Sequence, residues 1–181
     1  MKTIYIIGAP GSGKTSLSNA FKLTWGRSTE IAKPFAHEMF YFGARFNVSL
    51  GKNNPPFSGT DTLSNTVINL VRKVYPTWKA MGQVATILGE GDRLATDSMM
   101  NLAKEHSDLF LFYLDTPEEL ANERRTKRAE AHKLKLQNPS WVKGRKTKHE
   151  RLAERFGAFQ LDGTHETAEL VAQIHTKIGG A

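Results

Sequence analysis

The strongest constraint on this chain is the run Gly8-Ala9-Pro10-Gly11-Ser12-Gly13-Lys14-Thr15, which fits G-x-x-x-x-G-K-[ST] and directly follows a short apolar stretch, residues 3–7. A buried strand must turn sharply there into a helix, and glycines permit both the turn and a close approach of backbone N–H groups to phosphate. The nucleotide-binding set is therefore Gly8 through Thr15 together with Ser16. Lys14 reaches the β- and γ-phosphates, and the Thr15 hydroxyl is the Mg²⁺ ligand. A glycine-rich turn that merely capped a helix would not explain why Lys14 and Thr15 stand together.

With 181 residues the chain is long enough for one domain, 1–181, with a sizeable core. It has no cysteine, which removes disulfides and thiolate metal sites. No apolar stretch approaches the length that crosses a bilayer, and the first residues enter a strand without the pattern of a secretory leader, so a cytoplasmic protein is expected. The net charge of +7 is a local feature. Between Arg124 and Arg151 stand eleven Lys and Arg against Glu130 and Glu150, a surplus of +9, which leaves −2 for the rest of the chain. A solvated helix face interleaves both signs, and this stretch hardly does. It reads as an anion-binding surface.

Strand and helix patterns alternate along the chain, which predicts an α/β fold with a parallel sheet covered on both faces. A first helix runs from Lys14 towards Trp25. Residues 28–60 are the least regular, and one strand with substrate-facing loops is expected there. Leu63, Val67, Leu70, Val71 and Val74 recur at helical spacing behind Thr60-Asp61-Thr62, a suitable cap. Residues 84–88 read as a buried strand ending in Gly89-Glu90-Gly91-Asp92-Arg93, where ligands of parallel sheets bind. A further strand, residues 109–114, leads through Asp115 into Thr116-Pro117-Glu118-Glu119, which has the form of a capping box. The basic helix that follows carries Arg124 and Arg128 on one face, spaced to clamp phosphates. Asn138-Pro139 separates it from a second basic segment, 141–155. A short strand at 158–161, a turn at Asp162-Gly163-Thr164 and a closing helix with Leu170, Val171, Ile174 and Ile178 on one face complete the chain.

This layout resembles the P-loop kinases related to nucleoside monophosphate kinases over nearly the whole chain. The resemblance rests on residues 8–15, on the strand ending in Glu90-Gly91-Asp92-Arg93, and on Tyr113-Leu114-Asp115-Thr116-Pro117-Glu118-Glu119 leading into Asn122-Glu123-Arg124-Arg125-Thr126-Lys127-Arg128. It implies a three-layer sandwich with a parallel sheet of about five strands and a basic helical lid at about 122–155, with Arg124 and Arg128 as lid arginines and the 162–164 turn near the adenine. Residues 57–64, 88–93 and 141–148 are also similar to segments of bacteriophage kinases of thymidine hypermodification. Those enzymes phosphorylate the hydroxymethyl group of 5-hydroxymethyluracil in DNA. The +9 stretch independently favours a polymeric acceptor, because a duplex presents a charge every ~1.7 Å. By this reading Lys143, Arg145, Lys146 and Lys148 contact DNA.

The expected chemistry is transfer from ATP·Mg²⁺ to a hydroxyl, by positioning and charge neutralisation. Lys14, Arg124 and Arg128 act on the phosphates, and Glu90 or Asp92 joins Thr15 at Mg²⁺. Asp61, Glu38, Glu90 and Asp92 are the candidates to accept the hydroxyl proton, with Asp61 first; a helix cap is its alternative role. Trp141 either stacks on a base or packs as an ordinary interface residue, and Phe35, Phe40, Tyr41, Phe42 and Phe46 form either an acceptor pocket or core. The six histidines have no metal-ligand spacing and read as surface or packing residues. A kinase of free nucleosides or deoxynucleoside monophosphates, with the basic stretch serving only as lid, is the alternative. A nucleotide-dependent switch or nucleic-acid-binding ATPase without an acceptor is the third reading; a motor would bring a longer chain and a strand ending in adjacent Asp-Glu, and this chain has neither.

Overall fold

The computed structural model describes residues 1–55 and 57–179. The elements follow the chain as β1 (Lys2–Ile7), α1 (Lys14–Leu23), β2 (Ser28–Ile31), β3 (His37–Phe42), β4 (Arg45–Leu50), β5 (Lys52–Asn54), β6 (Phe57–Gly59), α2 (Ile68–Met81), β7 (Val84–Glu90), α3 (Asp97–His106), β8 (Asp108–Asp115), α4 (Glu118–Ala131), α5 (Pro139–Phe156), β9 (Phe159–Asp162) and α6 (Thr167–Gly179). A 3-10 turn, Thr60–Thr62, lies between β6 and α2.

Residues of β1 alternate between two cores. Tyr5 and Ile7 pack on one face of the sheet with Val71, Tyr75, Met99 and Leu152, whereas Ile4 and Ile6 pack on the other with Leu17, Phe21, Leu170 and Ile174. Both faces of the strand are thus buried, which is why it reads as a continuous apolar run rather than an alternating one. Helices α2, α3 and the C-terminal half of α5 cover the first face, and α1 and α6 cover the second. The result is the three-layer sandwich that the alternating pattern predicts.

The main sheet has the order β2-β3-β4-β7-β1-β8-β9. Its five strands from β4 to β9 are mutually parallel, whereas β3 and β2 continue the sheet antiparallel at one edge. The described residues of 28–60 therefore hold five strands instead of the single one expected. Only β4 joins the parallel set; β2 and β3 extend it, and β5 with β6 forms a separate hairpin. Phe35, Phe40 and Phe46 are buried there as core, while Tyr41 and Phe42 face solvent. Because the inner strands are parallel, the loops after β1, β7, β8 and β9 all open on one edge. No helix among the described residues is long and apolar enough to cross a membrane.

Two local expectations fail for one reason. Thr60–Thr62 does not cap α2, which begins only at Ile68, and the Thr116 hydroxyl donates to Ser12 O at 3.1 Å instead of closing a capping box. In both cases a long-range partner outcompetes the local one. At the centre, Gly89 lies opposite Tyr5 in the β1–β7 register, and its missing side chain leaves room for the phenol ring. The Tyr5 hydroxyl then reaches both Thr60 Oγ1 and Gly91 O at 3.2 Å, and Thr60 Oγ1 donates to Glu90 O at 2.8 Å. This chain of bonds fixes the turn that carries Asp61 against the end of β7. Gly89→Ala is expected to cost about 1–3 kcal/mol of stability, because the added methyl overlaps the ring. Urea unfolding checks this, and an unchanged midpoint would mean that the ring can move aside.

Candidate active site

Residues 8–13 connect β1 to α1, and the carbonyl groups of Gly8, Ala9, Pro10 and Ser12 are taken up by basic side chains. Lys14 Nζ donates to Gly8 O at 2.9 Å and Ala9 O at 2.8 Å. Arg125 Nη1 donates to Pro10 O at 2.8 Å, Arg124 Nη1 to Ser12 O at 2.9 Å, and His149 Nδ1 lies 2.6 Å from Gly8 O. With the carbonyls held, the first-turn amides of α1, which have no intrahelical partner, are left for an anion. Gly11 has φ +86°, and a side chain there would run into Ala121 O and Arg125 Cγ of α4. The loop is therefore pressed between the strand edge and the basic helices.

A cleft of about 930 Å³ opens in front of this loop. Lys14, Thr15, Asp61, Glu90, Asp92, Arg124 and Arg128 all line it, so the structure brings together every catalytic candidate except Glu38. Glu38 sits on β3, in a largely buried ion pair with Lys22 at 2.6 Å, and does not line the cleft. None of the five aromatics between Phe35 and Phe46 lines it either, which removes the acceptor-pocket reading for them.

The carboxylates have distinct surroundings. Glu90 is 4% exposed and accepts from Thr15 Oγ1 at 3.1 Å. Burial pushes its carboxyl up to about 7 even though Lys14 and the Thr15 hydrogen bond pull it down. Burial likewise pushes the Lys14 ammonium down, against the attraction of Glu90 and Asp61. Asp92 is opposite in character. Burial alone would raise it, but hydrogen bonds from His149 and Lys148 and the charges of Lys148 and Arg145 outweigh that and hold it well below the usual carboxylate range. The partners are Arg145 Nη1 at 2.7 Å, Lys148 Nζ at 2.8 Å and His149 Nε2 at 3.1 Å. A carboxylate so held is a poor proton acceptor. Asp61 is exposed to the cleft, and its Oδ1 accepts from the backbone N–H groups of Asp92 and Arg93 at 2.8 and 3.1 Å. It therefore orients the strand-end loop rather than capping a helix.

The residues fit a nucleotide with Mg²⁺. Thr15 and Glu90 give one hydroxyl and one carboxylate at bonding distance, and no group of three or more His, Cys, Asp or Glu among the described residues could hold a metal alone. That matches Mg²⁺, which is bound by one or two protein oxygens plus phosphates and water.

Of the residues expected on DNA, Arg145 lines the cleft and Lys148 is turned inward on Asp92. Lys143 is exposed, and Lys146 lies 3.9 Å from Glu150. His149, expected as a surface or packing residue, is 1% exposed and bridges the loop and Asp92. Its spacing of four from Arg145 is the one signal the sequence offers; nothing local says what faces that side of the helix. Arg125 has no such signal, because it lies beside the more regularly spaced pair Arg124 and Arg128.

A phosphate loop at a strand-to-helix turn, facing a strand-end glutamate and roofed by basic helices, defines a P-loop phosphotransferase. The family described as P-loop Nucleotide Kinase3 matches residues 1–172, and the chain belongs to it. Among solved structures it is similar to a sugar kinase from Janibacter sp. HTCC2649, with 15% identity, TM-score 0.55, and 97% of this chain and 93% of that one covered. Shikimate kinase from Aquifex aeolicus follows with 14% identity, TM-score 0.52, and 98% and 96% covered. A deoxyadenosine kinase from M. mycoides bound to dATP has 15% identity, TM-score 0.51, and 99% and 100% covered. A comparison with curated proteins finds no match.

Glu90 gives the site a pH dependence. The fold favours the protonated carboxyl, so its stabilising effect is complete below the ordinary value of 4.5 and is lost as pH rises to about 7. Glu90→Gln is therefore expected to gain thermal stability relative to wild type across that window and to plateau above it. Mg²⁺ affinity of the nucleotide complex, which needs the carboxylate, should fall in wild type as pH drops below the same value. A stability difference that stays flat across the window would mean that Glu90 is ionised throughout.

Proposed function

We propose that this protein transfers the γ-phosphoryl group of ATP, with Mg²⁺, to the hydroxymethyl group of 5-hydroxymethyluracil in phage DNA, giving 5-phosphomethyl-deoxyuridine. The γ-phosphorus bonds to the acceptor oxygen as its bond to the β-bridging oxygen breaks, and the acceptor proton passes to a carboxylate. Lys14 and the amides of residues 8–15 hold the phosphates, and Arg124 and Arg128 stand over them from α4. Bound at Thr15 and Glu90, Mg²⁺ would neutralise charge on the β- and γ-oxygens. Asp61 takes the proton, because Glu90 faces the Thr15 hydroxyl and Asp92 is held by Arg145, Lys148 and the His149 ring.

The observation that carries a polymeric acceptor is the placement of α5. The helix walls the cleft with Trp141 and Arg145, while exposed Lys143 and Arg151 lie on the same helix with no acidic partner among the described residues. A single helix thus offers both a cleft lining and an outward cationic surface, the arrangement a DNA backbone would follow. The inward pairing of Arg145 and Lys148 with Asp92 favours the second reading, a kinase of free nucleosides or nucleotides in which this helix is only a lid.

Labelled ATP offered with hydroxymethyluracil-containing DNA, ordinary DNA and free nucleosides and nucleotides separates the two. Label is expected in the modified DNA alone, and Lys14→Ala should abolish it without loss of fold; label confined to free nucleotides would establish the second reading. Lys143→Ala with Lys146→Ala is expected to lower the slope of log affinity against log salt by about 0.9 for each duplex phosphate that is no longer neutralised. An unchanged slope would take these lysines off the DNA path.

A further inference from the structure

Four residues of the cleft stand out as able to meet an acceptor. Phe57 of the β5–β6 hairpin is 57% exposed and Trp141 in the first turn of α5 is 42% exposed, yet both line the cleft that contains Asp61 and Glu90. One face of Trp141 carries the Arg145 guanidinium, 5.3 Å from the ring centre, which leaves the opposite face for another planar group. The other two residues are Arg93 and Gln137. Arg93 Nε and Gln137 Oε1 are shut from solvent and lack any hydrogen-bond partner among the described residues. Groups buried in this way ordinarily have partners, and because both side chains line one cleft, a turn of each would present an orphan donor and an orphan acceptor to a ligand with both kinds of polar atom.

We infer that the acceptor enters the cleft as a single planar heterocycle, taken out of the base stack and held between Phe57 and Trp141, with Arg93 and Gln137 serving its polar edge. A pyrimidine imide edge suits them, since its carbonyl oxygens accept from Arg93 and its ring N–H donates to Gln137. Aromatic side chains stack on any base face regardless of its sequence. Within a duplex, however, both faces of a base are covered by neighbours about 3.4 Å away along the strand, so the sandwich and the stack exclude each other. The walls of the site act in the same direction. The hairpin and α5 both line the cleft in which Asp61 lies, so a base brought between them comes away from its neighbours in the helix. This inference rests on the reading of the protein as a DNA-base kinase.

Single-turnover transfer of labelled γ-phosphate to one oligonucleotide tests it, with the hydroxymethyluracil single-stranded, mispaired or fully paired. Transfer is expected to be faster by about tenfold on the mispaired and single-stranded forms, because pairing and stacking must be broken first. A 2-aminopurine beside the target should brighten on binding. Trp141→Ala should raise the DNA concentration for half-maximal rate by about tenfold with nucleotide affinity unchanged, and Trp141→Phe should restore most of it, as stacking requires. Equal rates on paired and mispaired DNA, with no brightening, would overturn the inference and leave the DNA-base kinase standing. Absence of label in every DNA, with label in free nucleosides, would overturn both.

Discussion

The site depends on how the carbonyl groups of residues 8–12 are satisfied. A loop that turns its amides towards an anion must turn its carbonyls elsewhere, and carbonyls facing a protein interior need donors. Here the partners are Lys14 for Gly8 and Ala9, Arg125 for Pro10, Arg124 for Ser12, and the His149 ring at Gly8. Three of the four come from α4 and α5, so the basic helices shape the loop as well as cover it. Positive charge around the loop also adds to the field that its amides and the start of α1 present to phosphate.

The same helices use part of their charge internally. Arg145, Lys148 and His149 converge on Asp92, whose backbone N–H in turn donates to Asp61, whose turn is tied through Thr60 to Tyr5 and the end of β7. A continuous set of bonds therefore runs from α5 through Asp92 and the turn of Asp61 to the centre of the sheet. The two roles open to this basic stretch, docking surface and lid, divide by helix face: Arg145, Lys148 and His149 point inward, while Lys143 and Arg151 remain outside.

Much of the fold was legible because its signals are local. The apolar run of β1, the glycines and Lys14-Thr15 after it, the buried strand ending at Glu90, and the Asn138-Pro139 start of α5 each follow from neighbouring residues. Asn138 Oδ1 does accept from Ser140 N at 2.8 Å and Trp141 N at 3.4 Å. Residues 28–60 were not legible in this way. Their strands pair with one another and with β7, and the hydrophobic positions of β3 and β4 are set by a sheet edge that only the assembled molecule possesses. Thr116 and Asp61 failed as caps because Ser12 O and the 92–93 amides, distant in sequence, proved the closer partners.

By itself the sequence determined that a phosphate loop sits at a strand-to-helix turn of a parallel α/β sheet, that an acidic strand end accompanies it, and that positive charge is concentrated in one C-terminal stretch. All of these follow from spacing and composition along the chain. Only the tertiary structure decided which carboxylate faces Thr15, which is locked by Arg145, Lys148 and His149, and which is open to the cleft. It alone brought His149 under the loop and placed Phe57 and Trp141 along one cavity. Those outcomes depend on which face of a helix meets which strand end, and that is settled by packing across the sheet rather than by any residue's neighbours in sequence.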